Sequence, residues 1–339
     1  MPRTALLLFL SGMLFACASF SSLRASTTGR SSQEGEKTVS SEEAVRGIKL
    51  YQEGDIKGAI QSLSALVKQH PADSDAWYYL GLALFRSGDI KEARKAFEAL
   101  VKLRPNDANA HSNLAYTLLA ANKPGDAKKE ARRALELDAQ SAQAHYVLGY
   151  LFLNDDDPAK ALEESTAALK SSPNFALAQL LQSQALLNIY IDGFSLPVKN
   201  LELLRTAAES LDRYLKLDKS AASSPLWQEQ LETLRIHGRL GNSLPTNRLL
   251  GANKARLLSR PEPRYTDEAR AAGIRGKVVL HAVFASDGTV KHILVIRSLG
   301  HGLTEECIKA ARKIKFIPAT KDGRPVSQFI QIEYNFLAS

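Results

Sequence analysis

The sequence predicts a multidomain chain: an all-α repeat superhelix followed by a small α+β module, an antiparallel sheet with a helix over it. Two observations predict this. A 34-residue rhythm of small and large apolar residues runs through the first half of the 339-residue chain. A terminal segment of about 85 residues then changes from helical to strand periodicity.

The chain opens with Arg3, an apolar run over 5–16, then Cys17, Ala18 and a Ser-rich tract. A positive start, a short apolar core and small residues at the cut are the order of an export signal, assigned to 1–18. The run is shorter than a comfortable membrane span. Leu14-Phe15-Ala16-Cys17 resembles a bacterial lipobox, in which Cys17 would be acylated and hold the protein on a membrane. Ala16-Cys17-Ala18 is equally an Ala-x-Ala site that would leave Ser19 as the first residue, and an uncleaved anchor is the third route. Each places the protein in the envelope or periplasm of a Gram-negative-type bacterium. Residues 19–40 are polar and aperiodic, and read as a disordered tether.

Residues 41–240 are helical. Trp77, Leu80, Gly81, Leu84, Ala93, Phe97 and Pro105 have the spacing of one helix-turn-helix unit, and a step of 34 reaches His111, Leu114, Ala115, Leu118, Ala127, Ala131 and Ala139. A second step reaches His145, Leu148, Gly149, Phe152, Ala161, Ser165 and Pro173; a step back reaches Gly47, Leu50, Ala59, Leu63 and Pro71. Small residues recur where helices must approach, and large apolar ones at the i, i+3, i+4, i+7 positions of a buried stripe. The units lie near 40–73, 74–107, 108–141 and 142–175. This pattern resembles the tetratricopeptide repeat, which implies stacking into a superhelix with a concave, ligand-binding inner surface. Tyr79, Asn113, Tyr116 and Tyr146, on the first helices of their units, are the groove candidates, and each is equally a candidate for packing between helices. Ala178, Gln182, Ser183 and Leu186 open a degenerate fifth unit, interrupted over 190–200; helices over 201–217 and 225–240 follow, the last as a terminal cap.

A linker, 241–259, carries a helical or irregular connector over 247–258. The module at 260–339 begins with two β-rich runs, 277–285 and 289–297, joined by Asp287-Gly288, a hairpin signal. A helix over 303–315 has Leu303, Cys307, Ala311 and Ile314 on its apolar face, so Cys307 reads as a small hydrophobe. In the last strand Ile330, Ile332, Tyr334 and Phe336 alternate with Gln331, Glu333 and Asn335, which means one buried face. From Lys254 onward there are 15 Lys+Arg against 8 Asp+Glu, a surplus of 7 out of the chain's net charge of +8. The repeats are therefore near neutral, and a basic partner surface would lie at the C-terminus. Export argues against nucleic acid as that partner.

The module resembles the TonB C-terminal domain. The matching pieces are Pro263-x-Tyr265, Gly273-Ile274-x-Gly276-x-Val278, Asp287-Gly288-x-Val290, Gly302-Leu303, Ala310-Ala311, Phe316-x-Pro318-Ala319 and Gly323-x-Pro325-Val326. Thr266 departs from the family, which usually has Pro there. The resemblance implies that the domain binds an extended segment of a TonB-dependent outer-membrane receptor by adding it as a strand to the sheet edge. That edge is expected along 327–336, with Ser327, Phe329, Gln331, Glu333 and Asn335 facing the peptide. Alternatively the edge is capped by a second copy, giving a homodimer, or by the connector. The apolar N-terminal run has no His and no Pro-rich rod follows it, which sets an envelope adaptor ahead of the alternative, an energy transducer in outer-membrane transport.

Catalytic signals do not assemble. His111 and His145 occupy the place of Trp77 in successive units, where aromatic packing between helices explains both. His281 and His292 are on facing strands but offset, and Asp155-Asp156-Asp157 before Pro158 reads as a turn. There is no phosphate loop, nucleophile elbow or metal cluster. The expectation is a non-enzyme without cofactor or metal, binding protein or peptide ligands.

Overall fold

The computed structural model describes residues 42–193, 201–240 and 252–336. The expected export signal with Cys17, the tether, and residues 241–251 of the linker lie outside them. The chain divides into two compact units; among the described residues one holds 42–153 and 159–181, the other 154–158 and 182–336.

The first unit is the repeat superhelix: α1 (Glu42–Glu53), α2 (Ile56–Gln69), α3 (Ser74–Ser87), α4 (Ile90–Leu103), α5 (Ala108–Ala120), α6 (Pro124–Leu137), α7 (Ala142–Asn154) and α8 (Pro158–Ser171), with the start of α9 (Ala176–Asp192). Asp55, Asp73, Asp89 and Asp107 start α2 to α5, each carboxylate accepting a backbone N–H of the first turn. Such caps satisfy donors that the helix itself leaves open. Where no acid is available, α6 begins on Pro124, whose missing N–H costs nothing at that position. The small residues at the 34-residue step set the helix spacing. A Cβ built on Gly81 would lie 2.8 Å from the Phe97 ring, and one on Gly149 2.8 Å from Leu181. Ala59, Ala93, Ala127 and Ala161, one per unit, are wholly buried.

In the second unit α10 (Leu201–Leu217), α11 (Lys219–Ala222) and α12 (Pro225–Leu240) precede the sheets. Leu204, Leu211, Tyr214, Leu231 and Leu234 are buried, and the Trp227 ring packs edge-on against Tyr214 at 5.8 Å. Over 252–259 the connector is not helical. It contributes β1 (Ala252–Asn253) and β2 (Arg256–Ser259), which pair antiparallel with β6 (Ala319–Lys321) and β5 (Lys315–Ile317). The periodicity missed these because strands of two to four residues are too short to alternate visibly. A short helix, α13 (Asp267–Ala271), leads to the main sheet, built from β3 (Gly276–Phe284), β4 (Val290–Arg297) and β8 (Gln328–Phe336) in the order β4-β3-β8. The helix α14 (Leu303–Arg312) ends three residues earlier than expected, and its chain turns directly into β5. A further short strand, β7 (Arg324–Val326), pairs with β6.

The β3–β4 turn places Gly288 at φ +83, with Gly288 N–H donating to Ala285 O. Only the left-handed residue of this turn needs glycine, so Asp287 is free to accept from Thr289 N and Lys291 Nζ. One face of the sheet, with Val278, Leu280, Phe284, Ile332, Tyr334 and Phe336, packs on Leu303, Cys307 and Ala311 of α14. The other face is also buried: Val279, Val283, Leu294 and Ile296 are each under 10% exposed. Near-continuous apolar strands such as 278–285 require cover on both sides. The second cover is α12, which packs on β4.

Candidate functional site

The edge strand β8 pairs with β3 along nine consecutive residues without a register shift. Among the described residues β3 is its sole neighbour in the sheet. The opposite edge, β4, is irregular: two residues, His292 and Ile293, face one residue of β3, and His292 adopts φ +50. A bulge of this kind twists an edge away from further pairing, whereas a regular strand keeps its outward N–H and C=O groups in register. Of the two edges of this sheet, β8 is the one suited to another strand.

The outward side of β8 is met by the connector. The Arg260 guanidinium donates to the Glu333 carbonyl and stacks 4.6 Å over the Tyr334 ring, while Ala255 N–H donates to Gln328 Oε1 at 2.9 Å. Both links span 73 residues, so the connector runs alongside β8 in the same direction. They are side-chain rungs in place of a backbone ladder. Because an antiparallel residue points its N–H and C=O to the same side, the Arg260 contact identifies Glu333, and by alternation Phe329, Gln331 and Asn335, as the residues whose backbone faces outward.

The side chains expected to read a peptide are largely engaged already. Ser327 Oγ accepts from Ser286 N at 3.1 Å. The Phe329 ring meets the His237 ring edge-on at 4.8 Å. Gln331 pairs with His281 at 3.2 Å and donates to Glu333 at 2.7 Å. Glu333 also holds Lys277 at 3.2 Å, and these hydrogen bonds, Gln331 first and then Lys277, keep its carboxyl below the usual carboxylate range. Asn335 is exposed. What this strand offers a partner is its backbone.

Sequence reasoning missed Arg260 and His237. His237, on α12, is 4% exposed; its Nε2–H donates to the carbonyl of the bulged His292 at 2.9 Å, and its ring lies parallel to His281 at 6.4 Å. Burial, assisted by the neighbouring His281 and His292, lowers its pKa to about 4. Around it, Glu232 stands 3.9 Å from His292 Nε2, Arg312 pairs with Glu229 at 2.8 Å, and Arg205 Nε donates to Gly238 O at 3.0 Å. The signal available in the sequence was the near-continuous apolarity of 278–285, interrupted by His281 alone, which demanded a cover of this kind. His281 and His292, offset on their strands, are therefore joined through a third histidine. Among the described residues no group of three or more His, Cys, Asp or Glu is arranged to hold a metal.

In the superhelix, Tyr116 lies between Phe85 (5.2 Å) and Tyr146 (6.0 Å), and Tyr146 continues to Phe175 (5.4 Å). Tyr79 packs on Tyr51 at 5.8 Å and Tyr78 at 5.2 Å. Tyr79 and Tyr116 are half-buried, whereas Tyr146 and Asn113 are buried. Asn113 Oδ1 accepts from Gln143 Nε2 at 3.4 Å, and its own amide donates to Asn109 O at 2.8 Å. All four groove candidates are thus engaged in packing or hydrogen bonding within the superhelix, and Tyr79 and Tyr116 retain open surface.

His111 and His145 also have a role beyond packing. Trp77 Nε1 donates to Pro71 O at 2.8 Å; His111 Nε2 makes the same bond to Pro105 O at 2.9 Å, and His145 Nε2 to Ala139 O at 3.0 Å. Gln179 Nε2, one further step of 34, does so to Pro173 O at 3.1 Å. In four successive units the position presents an N–H aimed at the carbonyl six residues earlier, tying each loop to the following helix. In His145 the other nitrogen faces the Glu164 carboxylate at 2.7 Å, which raises its pKa. Cys307 is buried against α13 and the sheet, and burial pushes its thiol up to about 12.

Residues 261–337 match the family model of the Gram-negative bacterial TonB protein C-terminal region, and 45–108 and 112–174 match a tetratricopeptide repeat model. Both are protein-interaction families, and the first is described from Gram-negative bacteria. No curated protein matches the chain. Among solved structures, it is similar to PilW, a widely conserved type IV pilus biogenesis factor, at 16% identity over 61% of this chain and 89% of that one, TM-score 0.47. MamA from Desulfovibrio magneticus RS-1 is 22% identical over 53% of this chain and 98% of that one, TM-score 0.41. YrrB, a repeat protein with an unusual peptide-binding site, is 18% identical over 53% and 87%, TM-score 0.39. Among the described residues no helix is long and apolar enough to cross a membrane.

Proposed function

We propose that this chain, which joins tetratricopeptide repeats to a TonB C-terminal domain, is a non-enzymatic adaptor of the bacterial envelope. Its repeats hold a protein or peptide partner, and its C-terminal domain takes an extended segment of an outer-membrane receptor as an added strand on β8. The observation that carries the reading is the β8 edge: regular over nine residues, unpaired on its outer side among the described residues, and held by two side-chain rungs that an incoming backbone can replace. Main-chain hydrogen bonds would supply affinity for many sequences, and the engaged state of Gln331 and Glu333 leaves selectivity to the strand ends. Export through 1–18, with Cys17 either acylated or removed, would put both surfaces in the periplasm.

Hydrogen exchange of the full chain, with and without extended receptor-type peptides, tests this. Protection confined to the amides of Phe329, Gln331, Glu333 and Asn335 is expected, since those face outward. Protection that leaves these four unchanged while appearing in the superhelix would assign peptide capture to the repeats alone.

A further inference from the structure

Seven large apolar side chains stand well exposed among the described residues, and two of them, Leu258 at 58% and Ile317 at 43%, lie together. They share the β2–β5 ribbon. Arg256 lies opposite Ile317 and Ser259 opposite Lys315, and directly opposed residues of an antiparallel pair share a face. Phe316, between Lys315 and Ile317, is buried in the core, so those two side chains and Arg256 point outward. Leu257 lies opposite Phe316 and shares its inward face, whereas Leu258, at the register shift between Leu257 and Ser259, is the most exposed of the seven. Exposed Lys254 and Lys313 flank the ribbon in sequence, in the quarter of the chain that carries +7 of its net charge of +8.

We propose that the outer face of the β2–β5 ribbon docks on an anionic lipid bilayer. Apolar side chains projecting from a surface ringed by cations fit the headgroup boundary, where Leu and Ile enter the acyl region and Lys and Arg meet phosphate oxygens. The long aliphatic stems let the charges stay at headgroup level while the apolar tips go deeper. A protein strand is the poorer occupant, because the shift at Leu258 breaks the register that pairing along β2 would need. Side chains must make the contact, and a bilayer accepts them in any register. The surface is distinct from the β8 edge and stands or falls independently of what that edge binds.

A tryptophan placed on the face reads insertion there, whatever the N-terminal apolar run does. The full chain with Leu258→Trp is mixed with vesicles of phosphatidylcholine, with or without phosphatidylglycerol, carrying brominated acyl chains, which quench indoles that reach them. The unsubstituted chain gives the background from Trp77 and Trp227. The expected result at ~0.1 M salt is quenching beyond that background with anionic vesicles, little with neutral ones, and a several-fold loss on adding Arg256→Glu and Lys315→Glu. Vesicle binding without extra quenching of the new indole would overturn the proposal, as would equal quenching by neutral vesicles. Binding of poly-glutamate by the ribbon without binding of anionic vesicles would overturn it in favour of an acidic protein partner. If circular dichroism shows Leu258→Trp misfolded, Ile317→Trp carries the same measurement.

Discussion

Acid should loosen the packing of α12 on the C-terminal sheet, and His237 should be the reason. Its imidazole is packed neutral, donating from Nε2 to His292 O and touching Phe329, with a pKa lowered by burial from 6.5 to about 4. A lowered histidine pKa means that the packed state rejects the proton that the unpacked state accepts. Above pH 6.5 neither state is protonated there, and packing has its full strength. As pH falls below 6.5 the unpacked state gains a proton and stability drops, until near pH 4 the packed state is protonated too. The whole interval corresponds to ~3 kcal/mol, and the part between pH 6.5 and 5 to ~2 kcal/mol. The perturbation is His237→Gln, because a glutamine amide can donate to the same carbonyl and does not titrate. Urea unfolding of the full chain and of the variant, at pH 7 and pH 5, gives the comparison. At pH 7 the variant should lose about 1 kcal/mol from imperfect packing, while at pH 5 it should be as stable as the parent or more so. Taking the difference between the two proteins cancels His145 and every other common titration. Equal pH dependence in both would refute the reasoning and mean that His237 is not held neutral by this packing.

Three further outcomes are expected. Arg260→Ala removes the guanidinium from the Glu333 carbonyl and the Tyr334 face, so the full chain should bind extended peptides several-fold more tightly by fluorescence anisotropy and self-associate more readily in sedimentation velocity. Gly149→Ala brings a methyl to 2.8 Å from Leu181 and 3.1 Å from Glu164 Cβ, an overpacking that should cost ~1–3 kcal/mol in chemical unfolding. The His145–Glu164 pair raises the histidine pKa chiefly through its hydrogen bond, so its contribution is fully present below pH 6.5 and lost as pH rises through the raised value; His145→Gln should abolish that slope in an unfolding titration while retaining the bond to Ala139 O.

The repeat part of the fold was legible because each of its determinants is local and recurs. Gly81, Ala115 and Gly149 mark close approaches, the four capping aspartates mark helix starts, and a 34-residue step multiplies each signal. The main sheet was legible for a related reason: β8 alternates over nine residues and Asp287-Gly288 announces its turn. What escaped was short or non-local. The strands β1, β2, β5, β6 and β7 are too brief to show a period, and they exist because the connector and the segment after α14 pair with each other across some 60 residues of sequence. The loop-tying role of His111 escaped because Trp, His and Gln look unrelated until the common N–H donor is seen.

The candidate site was legible as a strand and illegible as a mechanism, for a reason that bears on what the domain does. Alternation in β8 identifies which face is buried, but the proposed binding element is a row of backbone groups that side-chain patterning cannot report. Its state is set by Arg260, which lies 73 residues away in sequence and has no partner suggested by spacing. The same holds for the other face of the sheet, where α12 meets it through His237, 55 residues from His292. Strand β8 therefore stands between two non-local contacts, the Arg260 rung on its edge and the His237 ring on its Phe329. A strand added at β8 must replace the first, and anything that shifts α12 acts on the second. Binding at the edge and packing of the helix act on the same nine residues. If the two are energetically coupled, His237→Gln and Arg260→Ala combined should change peptide affinity by more or less than the sum of their separate effects. Strict additivity in that double-mutant cycle would show that the helix covers the sheet without influencing its edge.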